Sequence, residues 1–461
     1  MNFNSLEQSH IDKFVEIVGL ERFSTGDSNL ELHARDQSHH PASKPEAVIW
    51  PVNSTEVSSI LRYANDNLIP ITGWGAGSSL EGNPIPVLRG VVLDFSRMNH
   101  ILAVRESDFQ ADVQPGVIYK DLNTKLRHSG LFFPPDPGAR ATIGGMIANN
   151  ASGVKTVRYG STRANTLRLS VVLASGEILD MGSRSSKTSS GYDLINLFVG
   201  SEGTLGIVVE ATVRLKGLPA EISAATANFP SVEAAGEAVF EIMRYGLDPA
   251  SLELLSPECI ELINNEKDLG LKVSPTLFME FHGPLKRYLN EVMDMAEEIC
   301  GSVGCQDFRP GLATKERDNI LSARYELAEM IMRAHPGRSQ MVIDVAVPIS
   351  AYPDIIAMAK SQLQEAGIAG YIFSHAGDGN LHLVFMGKDG DEEEWRIIEQ
   401  VNENMVKEAL SAGGTATGEH GVGIGKRKFM EAEHGIGVEL MKKFKSLLDP
   451  KGILNPGKLI P

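Results

Sequence analysis

Pro70-Ile-Thr-Gly73-Trp-Gly75-Ala-Gly77-Ser78-Ser79 is the stretch whose reading decides the fold. It follows a helix-like run and a short strand-like one, and it sets glycines at alternate positions, so backbone N–H groups can crowd an oxyanion with no side chain in the way. A nicotinamide dinucleotide fingerprint would require a helix opening at the last glycine. Here Gly82, Pro84 and Pro86 stand where that helix would run, so the doubly wound reading fails. Alone, the loop would be an ordinary glycine turn. It has company: Phe133-Pro-Pro135-Asp136-Pro137, then Ala141-Thr142-Ile143-Gly144-Gly145-Met-Ile-Ala-Asn149-Asn-Ala-Ser152-Gly153, then Tyr159-Gly160, then Gly200-Ser-Glu202-Gly203-Thr-Leu-Gly206-Ile207. Small residues at that density suit a long, thin ligand lying against bare backbone.

Outward from this core, short β-rich runs between Ala47 and Leu215 alternate with glycine turns and a few helical patterns, an α+β texture. Residues 1–41 read as a polar helical arm and 42–217 as the first domain. Residues 218–413 alternate strand and amphipathic helix, as in TLFMEFHG followed by LKRYLNEVMDMAEEICGSVG, and read as a second, α/β domain. Residues 414–461 end in an amphipathic helix stopped by Asp449-Pro450.

The chain has 461 residues, 42% hydrophobic and 22% charged, which allows two to four packed units with sizeable cores. With 43 Lys+Arg against 59 Asp+Glu the net charge is −16, which argues against nucleic acid and anionic lipid as partners. Cys259, Cys300 and Cys305 have no metal-site spacing and suit a reducing, cytoplasmic compartment. The N-terminus MNFNSLEQSHIDKF does not look like a signal or transit peptide, and no apolar stretch is long enough for a membrane-spanning helix.

A second constellation lies in Tyr371-Ile-Phe-Ser374-His375-Ala-Gly377-Asp-Gly379-Asn380-Leu-His382, where an apolar strand flanks each side of an AGDGN turn. Folding back at the turn brings His375 and His382 together. Further on, Gly418-Glu419-His420-Gly421 adds a carboxylate and a third imidazole on a tight loop. Two imidazoles and a carboxylate with open positions suit Zn, Mn or Fe; from spacing alone, three imidazole ligands fit as well. Any single one of the 12 histidines would more often be a hydrogen-bonded structural residue; the joint pattern is what carries the reading.

Together these motifs resemble the FAD-binding fold shared by vanillyl-alcohol oxidase and para-cresol methylhydroxylase, and within it the branch of D-lactate dehydrogenase, glycolate oxidase and D-2-hydroxyglutarate dehydrogenase. The resemblance runs from about Pro45 to Pro461. It implies a two-part FAD-binding domain, a substrate-binding cap with an antiparallel sheet, and a C-terminal helix returning to the FAD domain. It also implies that Gly73, Trp74, Gly75, Ala76, Gly77, Ser78 and Ser79 cradle the FAD pyrophosphate. Pro135, Thr142, Gly144, Gly145, Asn149, Ser152, Gly153, Glu202, Gly206 and Ile207 would line the rest of the cofactor, closed by Asn455. With Ala76 and Ser78 where covalent members commonly offer His or Cys, the flavin is expected to be held non-covalently.

By the same resemblance His375, His382 and Glu419 are the ligands of a divalent metal, Zn ahead of Mn or Fe, and His420 is the base. Asn380 stands beside the substrate hydroxyl, and Arg324, in Leu321-Ser-Ala-Arg324-Tyr325, fixes the substrate carboxylate, a role that suits the planar guanidinium fork. Without the resemblance Arg324 would read as a solvated helix-face residue. Tyr325 replaces a His common in D-lactate dehydrogenases.

The implied reaction is oxidation of a D-2-hydroxy acid to the 2-oxo acid, with hydride passing to flavin. Electrons would leave through an external acceptor, a quinone, an electron-transfer flavoprotein, a cytochrome or an Fe-S subunit, because no haem or cluster motif is encoded. The hydroxyglutarate branch commonly has Lys where this chain has Val342, which favours a monocarboxylate such as D-lactate or glycolate. Hydroxyglutarate would have to recruit Arg333, Arg338 or Lys360 instead. An oxygen-using oxidase would share every motif, whereas a non-redox synthase of the same fold would use the flavin for covalent substrate chemistry and need a phosphate pocket, and the sequence leaves a homodimer open.

Overall fold

The computed structural model describes residues 3–311 and 314–461, which form two compact units. The first comprises residues up to Ser152, Gly160–Leu218 and Glu419–Pro461; the second comprises Gly153–Tyr159 and Pro219–Gly418.

Besides the short antiparallel pair Leu131–Phe132 and Lys216–Gly217, the first unit holds two larger sheets of different character. In one, the parallel strands Ala47–Ile49, Val91–Asp94 and Ile71–Trp74 lie side by side, with Phe23–Ser24 antiparallel at the edge. Helix Ser54–Asp66 packs on it because Val57, Ile60, Leu61 and Ala64 recur at helical spacing and are fully buried. Asn53 starts that helix by accepting from the Glu56 N–H at 2.9 Å. The second sheet is antiparallel, in the order Ile101–Arg105, Gln110–Val113, Ile207–Arg214, Thr166–Val172, Ile178–Gly182. No helix follows the glycines after Trp74, as the prolines dictate.

The N-terminal segment is not a separate arm. Helix Gln8–Val18 buries Phe14 and Val18 in the same core as Ile49, Ile71 and Leu93, and Phe23 pairs with Ile49. The chain end joins this unit as well: Leu454 bridges Ile71 in parallel, beyond helix Gly437–Leu448.

The second unit is built on one seven-stranded antiparallel sheet, in the order Asp307–Pro310, Glu221–Asn228, Thr276–Gly283, Ser251–Leu255, Gly370–His375, Asn380–Lys388, Arg338–Ala346. On one face Leu255, Tyr371, Phe373, Val384 and Met386 pack under helices Pro257–Lys267 and Thr314–Ala334, through Ile260, Leu327 and Met330. The same face turns polar further along its strands: Leu255 gives way to Glu253, Phe373 to His375, Val384 to His382, Val342 to Asp344 and Phe278 to Glu280. Side chains two apart share a face, so this change of polarity builds a continuous polar row. Buried polar groups persist only when paired, and the pairing within this row defines the site.

Candidate functional site

The glycine loops of the first unit come together as a cradle. A side chain on Gly75 would collide with the Thr142 hydroxyl, and one on Gly144 would meet the Pro115 Cβ at 2.6 Å. Gly77 has φ +65°, and a Cβ there would lie 2.6 Å from the Trp74 ring. Thr142 caps helix Ile143–Asn149, its Oγ1 accepting from the Gly145 N–H at 3.2 Å. These close approaches explain the demand for glycine and leave a surface of bare backbone, which fits a dinucleotide of the FAD type. Gly73 backs onto Ile207, and Gly206 is wedged against Val171 and Phe198. Ala76 is exposed, Pro135 is buried, and Ser78 and Ser152 are intermediate; the Ser79 hydroxyl bonds to Asn83 Oδ1, and Gly153, which belongs to the second unit, is buried.

Three expected cofactor-lining residues have side chains engaged within the protein. The Glu202 carboxylate accepts from the N–H groups of Val422 and Gly423 at 2.6 and 2.9 Å; burial pushes its pKa up despite those bonds. Asn149 Nδ2 donates to the His420 carbonyl at 3.1 Å, and Asn455 Nδ2 donates to the carbonyls of Glu202 and Asn83 at 2.7 and 3.1 Å. They hold the segment from Glu419 onward and the chain end on the cradle's own unit, and Glu419 Oε1 lies 4.0 Å from His420 Nε2.

In the second unit, the hairpin Gly370–His375/Asn380–Lys388 forms at the expected turn, Ala376–Asp378 with Gly379 at φ +69°. His375 stands opposite Asn380, and His382 opposite Phe373. Both imidazoles share one face and meet edge to face, with ring centroids 5.3 Å apart. Each has a carboxylate beside it. His375 Nδ1 bonds to both oxygens of Glu253 at 2.9 and 3.1 Å, and His382 Nδ1 lies 3.6 Å from Asp344 Oδ1. The Glu253 carboxylate on His375 Nδ1 fixes the tautomer whose lone pair is on Nε2, which is how a histidine is set up to bind a metal, while Asp344 supplies a negative charge close to His382 without a hydrogen bond to its Nδ1. The donor set therefore fits a divalent ion.

Asp344 is fully buried, accepting from Asn380 Nδ2 at 2.7 Å and Thr417 Oγ1 at 2.9 Å. Asn380 Nδ2 also donates to the Val345 carbonyl at 3.0 Å, so its use toward a hydroxyl falls to Oδ1. Gly418 fits only because it lacks a side chain: a Cβ would land on Asn380 Nδ2 and 3.0 Å from Asp344 Oδ1.

Arg324 is not on a solvated face. It is 8% exposed, its Nε donates to Glu253 Oε2 at 2.8 Å, its guanidinium lies 4.7 Å over the Phe373 ring, and its buried Nη2 has no hydrogen-bond partner among the described residues. Sequence reasoning missed Glu253. Its signal was a carboxylate inside the leucine run Ser251–Leu255, which must be paired if the strand is central. Burial raises the Glu253 pKa, but His375 and Arg324 together bring it below the ordinary carboxylate value. Also missed was a second chain of bonds, in which Tyr159 OH donates to His282 Nδ1 at 2.6 Å and His282 Nε2 donates to Glu280 Oε1 at 2.7 Å.

Residues 218–459 match the family described as FAD linked oxidases, C-terminal domain, and residues 45–182 match a FAD binding domain. The chain is 39% identical to a probable mitochondrial D-lactate dehydrogenase of Danio rerio, covering 98% of this chain and 91% of that one. It is 34% identical to the glycolate oxidase subunit GlcD of Bacillus subtilis, covering 97% and 96%. In structure it resembles p-cresol methylhydroxylase, with TM-score 0.78 at 16% identity over 98% of this chain and 97% of that one, so the α+β fold with its antiparallel sheets is of that type. The glycine cradle and both matched domains lead to one conclusion: the chain belongs to the FAD-linked oxidases.

Proposed function

We propose that the protein oxidises a D-2-hydroxy acid, D-lactate or glycolate, to the corresponding 2-oxo acid. The observation that carries this reading is the buried polar row of the second unit, where paired imidazoles, His375 with Glu253 bonded on Nδ1, lie next to an arginine whose Nη2 has no hydrogen-bond partner among the described residues. Bound FAD supplies the two-electron acceptor for the α C–H hydride. His375, His382 and Glu419 would hold a divalent metal, which supplies Lewis acidity at the substrate hydroxyl. Glu419 is one peptide bond from Gly418, which is packed against Asn380 and Asp344, and this supports its inclusion.

Arg324 binds the substrate carboxylate through Nη2, Asn380 turns Oδ1 to the hydroxyl, and His420 takes the hydroxyl proton on an imidazole nitrogen. Holding the carboxylate and hydroxyl at two points fixes which face of the α-carbon presents its hydrogen, which supports selectivity for one enantiomer. A monocarboxylate is favoured because Val342 faces the apolar cluster under helix Thr314–Ala334. An external acceptor, with cytochrome, quinone, flavoprotein and Fe-S subunit as candidate classes, and a cytoplasmic setting, supported by three unpaired cysteines, complete the reading. The test is anaerobic flavin bleaching across D- and L-lactate, glycolate and D-2-hydroxyglutarate. Fast bleaching by D-lactate or glycolate supports the proposal, and bleaching by L-lactate or hydroxyglutarate alone would overturn it. Admitting oxygen to the reduced enzyme separates dehydrogenase from oxidase.

A further inference from the structure

Glu253 is 1% exposed, and it touches two groups with different tasks. Its Oε2 accepts from Arg324 Nε at 2.8 Å and from His375 Nδ1 at 3.1 Å, while Oε1 accepts from the same His375 nitrogen at 2.9 Å. We infer that Glu253 is a positioning residue shared by the metal ligand and the substrate anchor, so that one buried carboxylate orients both. This rests on the functional reading above and goes beyond it by tying metal affinity to substrate carboxylate binding.

Three features carry the inference. The carboxylate sits on a central strand, Ser251–Leu255, between Thr276–Gly283 and Gly370–His375, so the sheet fixes its position. A carboxylate on Nδ1 raises the basicity of Nε2 and sets the ring orientation of His375. On the other side, engagement of Nε by Glu253 and stacking on Phe373 lock the guanidinium plane. The buried Nη2 is then left with no hydrogen-bond partner among the described residues, a costly state that an incoming substrate anion would relieve. Gln is a poor replacement, because its amide would turn N–H groups toward the N–H of His375 or Arg324.

The experiment uses the flavin-loaded full chain, stripped with chelator, as wild type, Glu253→Gln and Glu253→Asp. Zn2+ affinity is measured by competition with a chromophoric chelator, and KM and kcat for D-lactate are measured after metal is restored. Flavin content and near-UV circular dichroism report folding. For Glu253→Gln the expected result is Zn2+ binding weakened about 10–100-fold, together with a raised KM. Glu253→Asp, which keeps the charge one methylene shorter, should recover part of both losses. Zn2+ affinity within about two-fold of wild type in both variants would overturn the inference, as would weakened metal binding with unchanged KM. If Glu253→Gln does not fold, Glu253→Asp decides alone: intermediate loss of both properties supports the inference, and loss of neither or of only one overturns it. A wild-type protein that binds no divalent metal would overturn the functional reading itself, a result distinct from variants that match a metal-binding wild type.

Discussion

His420 and Glu280 each make a claim that a single substitution can check. His420 is assigned the proton transfer, and a positioned base contributes about 10²–10⁴-fold. His420→Ala should therefore retain flavin, since its carbonyl rather than its ring is held by Asn149, and should slow anaerobic flavin reduction by at least about 100-fold. Normal reduction in that variant would remove His420 as the base. Glu280 tests pairing in the fold. Burial pushes its carboxyl up, but the His282 bond and the charges of Lys155 and Arg317 bring it below 4.5. A carboxylate lowered on folding stabilises the protein above its unfolded value, and that contribution disappears as pH falls through the lower folded value. Glu280→Gln should cost about 3 kcal/mol near neutral pH by leaving His282 and the nearby cations unbalanced. It should also flatten the loss of stability on the acid side of 4.5 in urea titrations. An unchanged acid slope would show that Glu280 is not a source of it.

At the scale of elements, the hairpin and the loop that ends at Gly418 work by close approach. Gly418→Ala would press a methyl group onto Asn380 and Asp344, at a cost of about 1–3 kcal/mol. Melting should show that loss, and metal analysis should show a fall in content because Glu419 is the next residue; full metal content would argue against Glu419 as a ligand. The hairpin was legible in the sequence because apolar strands flank a turn rich in glycine, and period-two alternation puts His375 and His382 on one face. The glycine cradle was legible because prolines exclude a helix after Trp74. The partners of those residues were not. Glu253 meets His375 only through the pairing of strands far apart in the chain, and nothing local in SLELL specifies that neighbour. The N-terminal segment misread as an arm shows the same limit, since its polar surface disguises Phe14 and Val18, whose burial depends on strands that come later.

For the whole molecule, substrate specificity would rest on what lines the polar row. With Val342 in the apolar cluster rather than a cation, a second carboxylate would be desolvated without a partner. The kcat/KM for D-lactate or glycolate should exceed that for D-2-hydroxyglutarate by at least about 100-fold. A preference for hydroxyglutarate would mean that another cation reaches the site. With a net charge of −16, attraction of an anionic substrate would fall to a local cation, and Arg324, held by Glu253, is the one proposed. Among the described residues no helix is long and apolar enough to cross a membrane.

The proposed role of a metal on His375, His382 and Glu419 would be to prepare the hydroxyl for oxidation. Its most direct test is stopped-flow reduction of the flavin by D-lactate, without oxygen, in protein as isolated, after chelation, and after Zn2+ or Mn2+ is restored. Chelation should leave flavin bound but slow reduction at least about 100-fold, and restored metal should bring the rate back. Reduction at full rate in protein shown to be metal-free would contradict it.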